Sequence, residues 1–207
     1  MKRIYSRMLA VVFGALILTV ASASATTITT GGTAVAGQGL YSSVAGAVTE
    51  TFEFGKPANY KGGSVVKGNK KNIYAAPTGD TSKYLTTGIG TITIKFADPI
   101  SYFGLYWGSV DQYNTVKLFD GASVETITGS EVALMGGIKA DGTTSEYVNF
   151  FADPGVSWNK ITLTSTQYAF ESDNHAFITA SPEPASMALI GLGVGLVGLG
   201  VARKRKA

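Results

Sequence analysis

The sequence has 207 residues, no cysteine and a single histidine, which excludes disulfides, thiolate zinc sites, cysteine nucleophiles and multi-histidine metal centres. Its formal net charge is +3, yet residues 26–180 hold 10 Lys and no Arg against 13 Asp plus Glu, leaving that segment at about −3. The basic excess therefore sits at the two ends and marks targeting, not a nucleic-acid surface.

The chain opens with a positive stretch containing Lys2, Arg3 and Arg7, followed by an apolar run from Met8 to Val20 and then Ala21-Ser-Ala-Ser-Ala25. A charged n-region, an h-region and small residues at −3 and −1 predict a secretory signal peptide over 1–25, with Ala23 and Ala25 filling the signal-peptidase pockets. Cleavage is placed after Ala25, with Ala23 as the alternative, and the former would make Thr26 the first mature residue. Residues 26–47 are mostly Thr, Gly, Ala and Ser and read as a flexible lead-in, with room for a short strand near Leu40 and Tyr41.

The ordered part spans 48–180. Val48 to Phe54 should put Phe52 and Phe54 on one face. The Lys- and Gly-rich stretch from Gly55 to Lys83 reads as a long loop with a hairpin through Ser64–Val66 and Asn72–Tyr74. Thr91 to Phe96 alternates, with Ile92, Ile94 and Phe96 inward. Asp98-Pro99 is expected to turn the chain. Ser101 to Trp107 is apolar on both faces and predicts a strand covered on both sides. Asp120-Gly121 between two alternating runs predicts a hairpin. Glu131 to Met135 allows one short helical turn. Strands are expected over Glu146–Phe151 and Lys160–Thr164, then at Tyr168–Phe170 and His175–Thr179. No amphipathic helix of ordinary length occurs between 26 and 180. The fold class is thus all-β, an antiparallel β-sandwich. A jelly-roll-like order is preferred because the first and last strands look like partners.

Candidate binding residues are few. Tyr106, Trp107, Tyr113 and Trp158 could offer rings to a glycan, although neighbours in a strand face opposite sides. Glu171, Asp173 and Asn174 form an oxygen cluster, with Asp111 and Asn114 in another loop. Calcium takes six to eight oxygens, and Asp173 and Asn174 are its candidate ligands. His175, at the start of the last piece, reads as a turn residue. Nothing selects a carboxylate pair for glycoside hydrolysis, so no catalytic residue is assigned.

The last stretch, 181–207, has three parts in order. Pro182-Glu183-Pro184 is held extended by its prolines. Residues 185–202 carry no charge and, as a helix, would rise roughly 27 Å, enough to cross a bilayer core. Arg203, Lys204, Arg205 and Lys206 form a stop signal that stays on the cytoplasmic side. Together these parts resemble the PEP-CTERM sorting signal. The resemblance implies processing near Pro182-Glu183-Pro184 by exosortase, a membrane protease-transpeptidase of exopolysaccharide-producing Gram-negative bacteria. The expected route is export by signal peptidase and the general secretion machinery, anchoring in the inner membrane, then delivery to the cell surface or matrix. Residues Tyr102–Val116, Tyr147–Phe150 and Ala169–Phe177 resemble an ectodomain recurrent among exosortase-dependent proteins, which implies no catalytic activity. Three functions follow. The first is a non-enzymatic surface protein associated with exopolysaccharide, the second a glycan-binding module, the third a matrix hydrolase.

Overall fold

The computed structural model describes residues 26–180. The leader with Ala23 and Ala25, and the tail with Pro182, Glu183, Pro184 and Arg203 to Lys206, lie outside the described residues. In chain order the elements are β1 (Thr27–Thr30), β2 (Thr33–Val35), β3 (Gly39–Tyr41), β4 (Val48–Glu50), β5 (Tyr60–Lys61), β6 (Ser64–Lys67) and β7 (Lys83–Thr87). They continue with β8 (Gly90–Trp107), β9 (Asn114–Asp120), β10 (Ser123–Thr128), α1 (Gly129–Gly136), β11 (Glu146–Phe151), β12 (Trp158–Ser165) and β13 (Phe170–Thr179). Every strand ladder is antiparallel. Among the described residues no helix is long and apolar enough to cross a membrane.

The architecture hangs on β8. Its 18 residues are far longer than an ordinary strand, and its two halves have different neighbours. Residues Gly90 to Lys95 pair with β12, with β5 on the other side, while Tyr102 to Trp107 pair with β11 and β13. The register on β12 shifts between Lys160, opposite Lys95, and Trp158, opposite Ile100. Asp98-Pro99 falls inside that shift. The sequence suggests a turn there, but the strand runs through. Proline lacks the N–H that a ladder needs, and a position where the strand changes neighbours requires none.

The first half extends through β12 and β9 to β10, and the second carries β1 beyond β11 and both β7 and β4 beyond β13. Ile92, Ile94, Val116, Leu118, Ile161 and Leu163 from the first half share one buried core with Phe103, Leu105, Trp107, Val148, Phe150 and Phe170 from the second. In the first half, period-two alternation puts these residues inside and their Thr and Lys neighbours outside. Ser101 to Trp107, apolar on both faces, is covered on both sides as expected: Tyr102 to Trp107 are all buried. Burial of this apolar surface, at roughly 25 cal/mol per Å², is the main stabilising term.

Several expectations are corrected. Residues 26–47 hold β1, β2 and β3 instead of a loose lead-in, because β1 finds an open ladder on β11, from Thr27 opposite Phe151 to Thr30 opposite Val148. β6 pairs with β7, not with Asn72–Tyr74. The latter segment is spent in a tight turn, with Asn72 at φ 61° and Lys70 O accepting from both Ile73 N and Tyr74 N. Phe52 and Phe54 do not share a face. Phe52 adopts φ 58°, ends the strand and enters the core, and Phe54 is left fully exposed. The hairpin between β9 and β10 forms with Asp120 opposite Ser123, and Gly121 at φ 55° supplies the turn. The short helix forms too, started by a capping box between Thr128 and Glu131. Tyr168–Phe170 and His175–Thr179, read as two pieces, belong to one run in which β13 spans Phe170 to Thr179.

Candidate functional site

β13 carries most of the unusual polar chemistry. Glu171, Ser172, Asp173, Asn174 and His175 are all buried. Its pairing with β8 goes from Asp173 opposite Tyr106 to Ala176 opposite Gly104, so two residues, Asn174 and His175, face the single Leu105. That is a β-bulge, and Asn174 at φ 49° supplies its left-handed residue. The Asn174 amide donates to Gln38 O at 2.7 Å and to Leu40 O at 3.0 Å, tying the β2–β3 hairpin to the bulge.

His175 is a core residue, not a turn residue. Its Nε2 lies 2.9 Å from Ser172 Oγ and its Nδ1 lies 3.2 Å from the Tyr60 hydroxyl. Phe52 and Phe103 meet the imidazole edge-on. Burial lowers its pKa to about 3, so the ring is neutral. Asp173 lies beside Asp80 and Ser82, and the Ser82 hydroxyl donates to Asp173 Oδ2 at 3.3 Å. Burial raises the Asp173 pKa to about 9, with the nearby charge of Asp80 adding to the effect. The Asn174 Nδ2 is committed to carbonyls, whereas Asp173 Oδ1 and Asn174 Oδ1 are buried with no hydrogen-bond partner. Among the described residues, no group of three or more His, Cys, Asp or Glu is arranged to hold a metal. Asp80 could not be singled out from sequence, since nothing there links it to a residue 93 positions later.

The glycan candidates also divide. Tyr106 and Trp107 are 2% and 0% exposed, so neither offers a ring face to solvent. The Tyr106 hydroxyl donates to Thr78 O, and Trp107 stacks on Phe170 with ring centroids 4.5 Å apart. Trp158 is 2% exposed at the base of a pocket of about 290 Å³ formed with Leu118, Val124 and Val156. The second half of β8 is covered on both faces, which turns Tyr106 and Trp107 into core, and Trp158 packs inward from β12. Only Tyr113 reaches a cleft of useful size.

That cleft has a volume of about 390 Å³ and lies between the turn at Asn69–Ala75 and the segments at Ser109–Tyr113, Asp141–Gly142 and Tyr168–Glu171. The Tyr113 hydroxyl donates to Tyr168 O at 3.0 Å, and the Tyr168 ring is 56% exposed. Asp111 forms a backbone bridge with Asp141. A Cβ on Gly129 would overlap the Asp111 carbonyl and one on Gly142 its carboxylate, so glycine at both positions lets the chain close around Asp111. Glu171 Oε1 accepts from Ala75 N at 2.9 Å, while its buried Oε2 has no partner. Burial raises the pKa of both acids. At Glu171 the neighbouring charge of Asp111 contributes, and at Asp111 that of Asp141. The cleft thus unites Asp111 and Glu171 from the expected oxygen cluster and separates them from Asp173. Carboxyl groups, amides and an open tyrosine together offer hydrogen bonds and a stacking surface.

β13 ends where the tail begins. Ala180 N donates to Pro99 O at 2.8 Å, so the last tied residue stands one residue short of Ser181 and two short of Pro182. The class is therefore an antiparallel β domain whose final strand feeds a C-terminal targeting segment. Residues 182–206 match the family model of the PEP-CTERM protein-sorting motif. This stretch of the chain is thus similar to the PEP-CTERM sorting signal, a motif recognised by exosortase and associated with export and membrane-anchored sorting. Neither a curated protein nor a solved structure matches the chain.

Proposed function

We propose that this chain is a non-enzymatic surface or extracellular-matrix protein that associates with exopolysaccharide. In this reading residues 1–25 are removed on export, 185–202 span the inner membrane, and exosortase processes the chain at Pro182-Glu183-Pro184. The β domain is a jelly-roll-like sandwich, a reading supported by the passage of β8 between the two halves and by the pairing of β4 with β13. The observation that carries the functional reading is the junction of domain and signal. From Ala180 to Ala185 five residues reach at most roughly 17 Å, which would hold the domain against the membrane until the chain is cut. In a host lacking exosortase, the protein should move from the surface and matrix fractions to the inner membrane. An unchanged distribution would contradict the proposal.

The cleft favours a second reading, a glycan-binding module. Selective binding on a glycan array, lost in Tyr168→Ala, would support it. A hydrolase is disfavoured by Glu171, whose two oxygens are respectively bonded to Ala75 N and enclosed.

A further inference from the structure

The outer face of the first half of the fold has a composition unlike the rest of the domain. It spans five adjacent strands, β10, β9, β12, the start of β8 and β5. Inward positions alternate Ile92 and Ile94, Ile161 and Leu163, Val116 and Leu118, so the residues between them face out. The registers align these into rows. One row runs Thr126, Lys117, Thr162, Thr93, Lys61. The next contains Phe119, Lys160 and Lys95. Another brings Thr91 beside Thr164, with hydroxyl oxygens 2.9 Å apart. Neighbouring strands lie about 4.8 Å apart and same-face residues roughly 6.8 Å apart along a strand, so hydroxyl and ammonium groups form a regular grid.

The charge on this face is one-sided. It carries four of the ten lysines of residues 26–180 and, within the paired rows, none of the 13 acids. Asp98 lies in the register shift of β8, outside the paired rows, Asp120 ends β9 opposite Ser123 on the Leu118 side, and Glu125 lies between the outward Val124 and Thr126, with its carboxylate bonded to Thr26. Lys160 Nζ sits 3.6 Å from the centroid of the Phe119 ring, which fixes one ammonium on the grid. On a domain of net charge about −3, this gathering of lysines creates a local positive potential with hydrogen-bonding hydroxyls between the charges.

We propose that this face binds an acidic polysaccharide, a polymer that presents repeated carboxylates and hydroxyls along an extended chain. The inference rests on the exopolysaccharide reading above and gives it a surface and a charge class. The lysines meet carboxylates as exposed ion pairs, and the threonines exchange hydrogen bonds with sugar hydroxyls. Binding is spread over many weak contacts, so it depends on salt and on polymer length.

The test uses the exported, processed protein with polygalacturonate as the acidic probe, dextran as the neutral control and a single-stranded oligonucleotide as a non-sugar polyanion. Wild type should bind polygalacturonate, lose affinity as salt rises and ignore dextran. Replacing Lys61, Lys95, Lys117 and Lys160 with glutamine should weaken binding about tenfold or more. Arginine at all four should preserve it, and Lys67→Gln with Lys70→Gln and Lys71→Gln should leave it within about twofold. Should the glutamine variant misfold, the arginine variant and the salt titration of wild type still decide. Equal binding of dextran, equal binding of the oligonucleotide, or indifference to salt would overturn the proposal. The C-terminal mass of the same protein reports sorting independently. Correct processing without polygalacturonate binding would remove this surface and leave the sorting reading intact.

Discussion

Asp173 and His175 lie two residues apart on one strand and pull the pH dependence of stability in opposite directions. The folded His175 pKa of about 3 is below its ordinary 6.5, so its contribution is present above 6.5 and lost as pH falls toward 3. The folded Asp173 pKa of about 9 is above its ordinary 3.8, so its contribution is present below 3.8 and lost as pH rises toward 9. Between about pH 6.5 and 9 only the Asp173 slope remains of these two, and stability should decline. Denaturant unfolding at several pH values should show that decline, and Asp173→Asn should reduce it. A second residue-scale expectation concerns Thr26, whose backbone nitrogen lies 3.2 Å from both carboxylate oxygens of Glu125. If the leader is cut after Ala25, that nitrogen becomes an ammonium and the contact an ion pair. Intact mass of the exported protein should begin at Thr26, and Glu125→Gln should destabilise it by about 1 kcal/mol. Recovery of Met1, or no change on substitution, would count against this.

Among the elements, the bulge in β13 carries the sharpest expectation. Asn174→Ala removes two hydrogen bonds, leaves the Gln38 and Leu40 carbonyls without that donor, and places alanine at φ 49°. A loss of about 2–4 kcal/mol should appear in urea unfolding. A loss below about 0.5 kcal/mol would mean that the bulge is not held this way. The bulge was not legible in the sequence, because a register shift depends on a partner strand and Asp173-Asn174-His175 reads locally as a turn. The same reason hid the course of β8, since Asp98-Pro99 has turn chemistry and only the change of neighbours makes it part of a strand. By contrast, β11, β12 and the β9–β10 hairpin were legible. Their period-two patterns and the Asp120-Gly121 signal agree with tertiary packing. The candidate site was half legible. Asp111, Tyr113 and Glu171 could be noted as polar or aromatic residues near turns. Asp141, Tyr168 and the Asn69–Ala75 turn join them only through folding. Tyr106 and Trp107 lie in the strand whose two apolar faces already marked it as covered on both sides, and the inward packing of Trp158 depends on the register of β12.

For the whole molecule, the β domain and the sorting motif form one device joined at Ala180. In the proposed route the leader would start translocation, while the uncharged run and Arg203 to Lys206 would stop it, and neither step would need the tripeptide. On the proposed route Pro182-Glu183-Pro184, whose prolines disfavour helix, would be the segment offered to a membrane protease. The most direct measurement is C-terminal peptide mass spectrometry on fractionated cells of the native host, comparing wild type with a variant carrying alanine at 182, 183 and 184. Wild type should be found beyond the inner membrane without Arg203 to Lys206. The variant should be exported yet remain in that membrane with the basic tail attached. Wild type that keeps its tail, whether or not exosortase is present, would contradict the account and reduce the segment to a C-terminal anchor.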